Sequence, residues 1–106
     1  MAKYLFQASY TTDGIRGLKK DGGTSRKAAV EKLVSGLGGT VECVYFAIGD
    51  DDVLAIVDLP GPESAVAASM TVGATGAANV RTTVLLTAEQ MDVATGKKVD
   101  YQKPGA

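Results

Sequence analysis

Apolar positions along the chain repeat every second residue in some stretches and with a helical period in others, and the changes of period divide it into elements. Lys3 to Tyr10 (KYLFQASY) is short and rich in aromatic residues, which predicts a strand. Thr11 to Gly23 holds four glycines and reads as a long connection, with Thr12 able to cap a short turn through Leu18. In TSRKAAVEKLVSGLGG, Val30, Leu33, Val34 and Leu37 fall at i, i+3, i+4 and i+7, so they share one face of a helix. Thr24 or Ser25 is its expected N-cap, and the glycines at 36, 38 and 39 stop it. TVECVYFAI and DVLAIVDL come next as two strands joined at Gly49-Asp50-Asp51 in a hairpin, and Pro60 ends the second. Pro62 opens a thin, alanine-rich helix, ESAVAASMTVGATG. Asn79 to Thr87 is the fourth strand. Toward the C-terminus a helical turn at AEQMD and fraying beyond Gly96 are expected.

The order β-α-β-β-α-β within ninety residues predicts an α+β, ferredoxin-like domain: a four-stranded antiparallel sheet with two helices on one face. The expected division is a domain over residues 1–92 and a polar C-terminal tail over 93–106. Alternation splits each strand into two sets. In the hairpin both are apolar: Val41, Cys43, Tyr45 and Ala47 against Val44, Phe46 and Ile48, then Val53, Ala55, Val57 and Leu59 against Leu54 and Ile56. Two helices cover one face only, and an open apolar face exceeds what soluble monomers usually tolerate. The expected cover is a second copy of the sheet about a twofold axis, giving a homodimer or higher oligomer of the dimeric α+β barrel type.

Composition narrows the function classes. The 106 residues carry 11 basic and 12 acidic side chains, a net charge of -1, so no global field favours nucleic acid or an anionic membrane surface as a partner. No apolar run approaches the roughly 20 residues that span a bilayer. Cys43 has no second cysteine to pair with, and the first residues show neither a long apolar segment nor a small-residue cleavage site, so a cytoplasmic setting is expected. Histidine is absent, which removes the commonest metal ligand and general base. No cofactor and no metal is expected.

Several short stretches form a shared pattern: Thr12-Asp13-Gly14-Ile15-Arg16-Gly17-Leu18, Lys32-Leu33, Gly38-Gly39, Tyr45-Phe46, Gly49, Asp52-Val53, Ile56-Val57, Pro60, Gly76, Asn79-Val80-Arg81-Thr82, Glu89 and Met91-Asp92. Together they resemble the GYD domain family of small bacterial and archaeal proteins. The resemblance covers Tyr4 to Asp92 and implies a ferredoxin-like fold related to the dimeric α+β barrels, in a family that is functionally uncharacterised. The family's Gly-x-Tyr-Asp run appears here as Gly49-Asp50-Asp51-Asp52, with Asp51 where the pattern has tyrosine.

Three adjacent aspartates suggest a hard-cation site, but neighbours in a tight turn diverge and no EF-hand spacing is present, so Asp50 to Asp52 read as turn residues, with Asp52 bonding backbone amides or a basic group. Cys43 lacks a histidine to activate it and reads as a small packed hydrophobe. The glycines of Thr11 to Gly23 match neither phosphate-binding pattern, while Arg16, Lys19 and Lys20 stand as anion-holding candidates. Tyr4, Phe6, Tyr10 and Tyr45 with Arg16 and Arg81 are the candidate ligand-binding residues, against a competing role in core or interface packing. The leading expectation is a homo-oligomeric domain binding a small apolar or anionic metabolite in a cleft at the sheet or dimer interface. The alternative is a cofactor-independent monooxygenase- or isomerase-like enzyme of the dimeric α+β barrel type, with no catalytic residue assigned, and a third is a domain that only assembles.

Overall fold

The computed structural model describes residues 1–47 and 49–105. Strands β1 (Ala2–Tyr10), β2 (Thr40–Phe46), β3 (Val53–Leu59) and β4 (Ala78–Leu85) form one antiparallel sheet in the order β2-β3-β1-β4. Helices α1 (Thr12–Asp21), α2 (Gly23–Gly36), α3 (Pro62–Ala74) and α4 (Ala88–Gly96) complete the described residues. The ferredoxin-like β-α-β-β-α-β path is present through α2 and α3, with α1 and α4 added to it. Ile48, which the sequence pattern places in the second strand, and Ala106 lie outside the described residues.

The stretch from Thr11 to Gly23 is not a long connection: Thr12–Asp21 forms α1, with Thr12, the expected cap, as its first residue. Thr11 is its N-cap: the hydroxyl accepts from the Gly14 amide at 3.3 Å and donates to the Gly76 carbonyl at 2.7 Å, so one side chain starts α1 and ties it to the loop before β4. Gly14, a helix breaker on intrinsic propensity, is needed because a Cβ there would overlap the Ala77 carbonyl and the Tyr10 ring. Close approach to neighbouring backbone outweighs propensity at that position. The cap expected at Thr24 or Ser25 is also displaced. Gly22, at φ 81°, takes the N-cap position of α2, and no side chain caps that helix.

Register assigns the faces. Tyr4 lies opposite Val57 and Val84, and Phe6 opposite Ala55 and Thr82, so Tyr4, Phe6, Ala8 and Tyr10 share one face with Val53, Val57 and Val80. That face meets α2 and α3, and the core forms there: Tyr4, Val34, Ala55, Val57, Leu59 and Ala65. In β2 the strict alternation is broken by a bulge between Val41 and Cys43. The extra residue moves Val44 and Phe46 onto the face of Val41 and leaves Cys43 and Tyr45 on the opposite one, so the grouping of Val41 with Cys43 and Tyr45 does not hold. Gly39 lets the chain pass from α2 into β2 hard against β3, since a Cβ would overlap the Asp58 carbonyl and press on Leu59.

The other face carries Leu5, Cys43, Tyr45, Leu54, Ile56 and Leu85, none of them buried. Charged groups sit at its two ends, already paired. Lys3 Nζ lies 2.8 Å from the Glu42 carboxylate and 3.1 Å from that of Asp58, and Arg81 pairs with Asp51.

Candidate functional site

A cavity of about 120 Å³ opens between α2, α3 and the helix-facing side of the sheet. Its floor is built from β1 (Phe6, Ala8, Tyr10), β3 (Val53, Ala55) and β4 (Ala78, Val80). The walls come from Val30 and Leu33 of α2 and from Ala68 and Val72 of α3. The cavity arises from the alanines: where two helices straddle a sheet, bulky side chains would normally fill the space, and here short ones leave it open. Two polar side chains, Arg26 and Ser69, join Tyr10 in the lining. The Ser69 hydroxyl is bonded to that of Thr82 at 2.6 Å. Arg26 is half-buried and makes no ion pair among the described residues.

The sequence-derived candidates separate in space. Phe6 and Tyr10 line the cavity. Tyr4 is fully buried in the core beside it. Arg16 projects from α1 into solvent, 3.8 Å from Asp13. Tyr45 and Arg81 stand on the other face of the sheet, on the two edge strands. Arg26 and Ser69 were not among the candidates, yet both had a signal. Arg26 lies four and seven residues before Val30 and Leu33 on the apolar stripe of its helix, and Ser69 continues the stripe of Ala65, Ala68 and Val72.

The aspartate run works as a brace. Asp51 accepts from Gln7 Nε2 and Ser9 Oγ, both at 3.3 Å, and from Arg81, while Asp52 accepts from the Tyr10 amide at 2.8 Å and its own amide donates to the Ala8 carbonyl at 2.9 Å. The two carboxylates point to different partners, and among the described residues no group of three or more acidic, cysteine or histidine side chains could hold a metal ion. Asp52 thus bonds a backbone amide, one of its two expected partners, and the basic group Arg81 meets Asp51.

The match to family models settles the lineage, with residues 4–95 aligning to the GYD domain. The chain belongs to the GYD domain family. No curated protein and no solved structure matches it. In this GYD domain the Asp51 carboxylate joins the connection between β2 and β3 to β1 and β4. No helix among the described residues is long and apolar enough to cross a membrane.

Proposed function

We propose that this GYD domain is a small-molecule-binding homo-oligomer whose α2–α3 cavity takes an amphipathic monocarboxylate. The observation that carries the reading is Arg26: a half-buried arginine, without an ion pair among the described residues, in a lining otherwise almost wholly apolar. A cationic side chain in the wall of an apolar cavity favours an anion there, and guanidinium matches a carboxylate with two parallel hydrogen bonds. Cavity size sets the rest of the ligand, since a space of this order accommodates roughly one ring or a short branched chain. Phe6, Val30 and Val80 supply the apolar contacts, and Ser69 and Tyr10 are the other polar residues of the lining.

Chemical-shift titration with benzoate, phenylacetate and isovalerate, against benzyl alcohol as a neutral counterpart, tests the reading. The acids are expected to shift Ala29, Ala68 and Val80 and to bind at least tenfold more tightly than the alcohol, and Arg26→Gln is expected to abolish the difference. Equal affinity for acid and alcohol would remove Arg26 from the site, and no binding of either would remove the cavity itself. Catalysis in the same cavity is a second reading, supported by the presence of the Tyr10 phenol with Arg26 in one lining.

The oligomer is supported by the open sheet face. Leu5, Leu54, Ile56 and Leu85 form an uncharged strip between two ends whose charges are satisfied within the chain, a surface that a twofold copy covers without burying an unpaired charge. Light scattering at micromolar concentration is expected to give at least twice the chain mass, and Leu54→Glu to lower it.

A further inference from the structure

The end of the chain carries a built helix that buries none of its own residues. Helix α4 has a complete capping box: the Thr87 hydroxyl accepts from the Gln90 amide at 3.1 Å, and the Thr87 amide donates to the Gln90 side chain at 2.8 Å. It nevertheless has no buried residue and no part in the principal packing between elements. The residues after it, 97–105, are exposed throughout. The radius of gyration is 16.7 Å, against about 13 Å for a compact chain of this length, and the long axis reaches 55 Å.

Large apolar side chains of the otherwise polar arm are open to solvent: Met91 is 50%, Val93 63%, Val99 81% and Tyr101 75% exposed. A nine-residue helix is marginal alone in water. Its caps and apolar side chains therefore point to a surface outside its own domain.

We infer that the arm of residues 86–105 docks on a second copy of this chain, reciprocally about a twofold axis. The same chain displays both halves of the contact. Besides the arm, Val66 and Met70 form an exposed apolar stripe on the outer side of α3, 53% and 67% accessible, where Pro62 and Glu63 border a shallow groove. Reciprocal exchange uses each surface twice and leaves none open, whereas a foreign partner would have to match both. The reach suffices. Nine helical residues span about 14 Å and nine extended ones about 30 Å, together longer than the 33 Å and 23 Å cross-axes of the molecule.

Amide hydrogen exchange of the full chain, at concentrations spanning its self-association, tests the arm apart from the sheet face. Protection of residues 88–96 is expected to rise with the assembled fraction. In Met91→Asp/Val93→Asp, self-association should weaken at least tenfold while the thermal transition of the sheet is kept. In a sample mixing labelled and unlabelled chains, the Met91 methyl should show contacts to the other chain near Val66 and Met70. Protection that is equal at all concentrations would place the arm on its own chain and overturn the exchange. Protection that never appears, or a double variant that associates as tightly as the parent, would overturn it as well. Because Leu54→Glu probes the open sheet face alone, either surface can fail without the other.

Discussion

Single atoms decide several positions. At Gly39 the missing Cβ is a steric requirement, because any side chain would meet the Asp58 carbonyl and Leu59, one of the most deeply buried residues. Gly39→Ala is expected to destabilise the fold by about 2 kcal/mol through overpacking, read as a lower urea midpoint at unchanged slope. Asp51 depends on its partners more than on its charge. Its side chain is 15% exposed and gathers three donors, but Arg81 is 65% exposed, so solvent screens the ionic part. Asp51→Ala should therefore cost about 1 kcal/mol, mostly from lost hydrogen bonds. Raising salt should close little of the gap between the two proteins, and a gap that vanished in salt would show the ion pair to be the larger part. At the other end of the same face, Glu42 first and Asp58 second raise the pKa of Lys3 above its ordinary 10.5. A raised lysine pKa favours the folded state at pH below 10.5 and loses that contribution as pH climbs through the folded value. Lys3→Met is thus expected to narrow the stability lost between neutral and strongly alkaline pH, measured against the parent protein at each pH.

At the scale of elements, the strands and the two longer helices were legible because their patterns are locally consistent. The β1 set of Tyr4, Phe6, Ala8 and Tyr10 does share one face, as alternation requires. Helix α1 was hidden because its glycines serve tertiary contact: Gly14 fits under the Ala77 carbonyl, a reason no local window contains. The bulge in β2 was hidden for another cause. Both faces of that strand are apolar, so shifting the alternation by one residue leaves the hydrophobic pattern almost unchanged. The candidate site was half legible. Phe6 and Tyr10 were found from their strand, while Arg26 required reading a charge as part of an apolar helical stripe. Tyr45 and Arg81 stand on the open face, away from this cavity, and which face each strand presents to the helices is not written in its own residues. Capping makes a separate prediction for α4. Thr87→Ala removes the cap and should destabilise that helix by about 1 kcal/mol. Since α4 buries none of its residues within its own chain, exchange protection of residues 88–96 should fall while the urea midpoint of a dilute, unassembled sample stays within error.

The whole molecule places its helix layer over one side of the sheet and leaves that layer incompletely filled. Ala8, Ala55, Ala68 and Ala78 are all buried and all line the cavity. Had the domain only to fold, larger residues at these positions would bury more apolar surface and remove the void, and a void costs stability in proportion to its size. On the proposed reading, the void beside Arg26 is kept because the ligand needs the space, at a cost to the stability of the unliganded protein. The two properties can be set against each other by one substitution. Ala68→Val adds two carbons where the lining has room, and is expected to stabilise the unliganded protein by about 0.5–1 kcal/mol. The same two carbons occupy the space needed by the apolar body of the ligand, so affinity for benzoate should fall at least tenfold. Thermal unfolding with and without benzoate reads both numbers from one pair of curves: the vacant midpoint should rise and the ligand-induced increment should shrink. A vacant midpoint that fell would mean that the walls cannot yield and that the cavity is smaller in solution. A midpoint that rose with the benzoate increment intact would place the carboxylate elsewhere and leave the alanines as an imperfectly packed core.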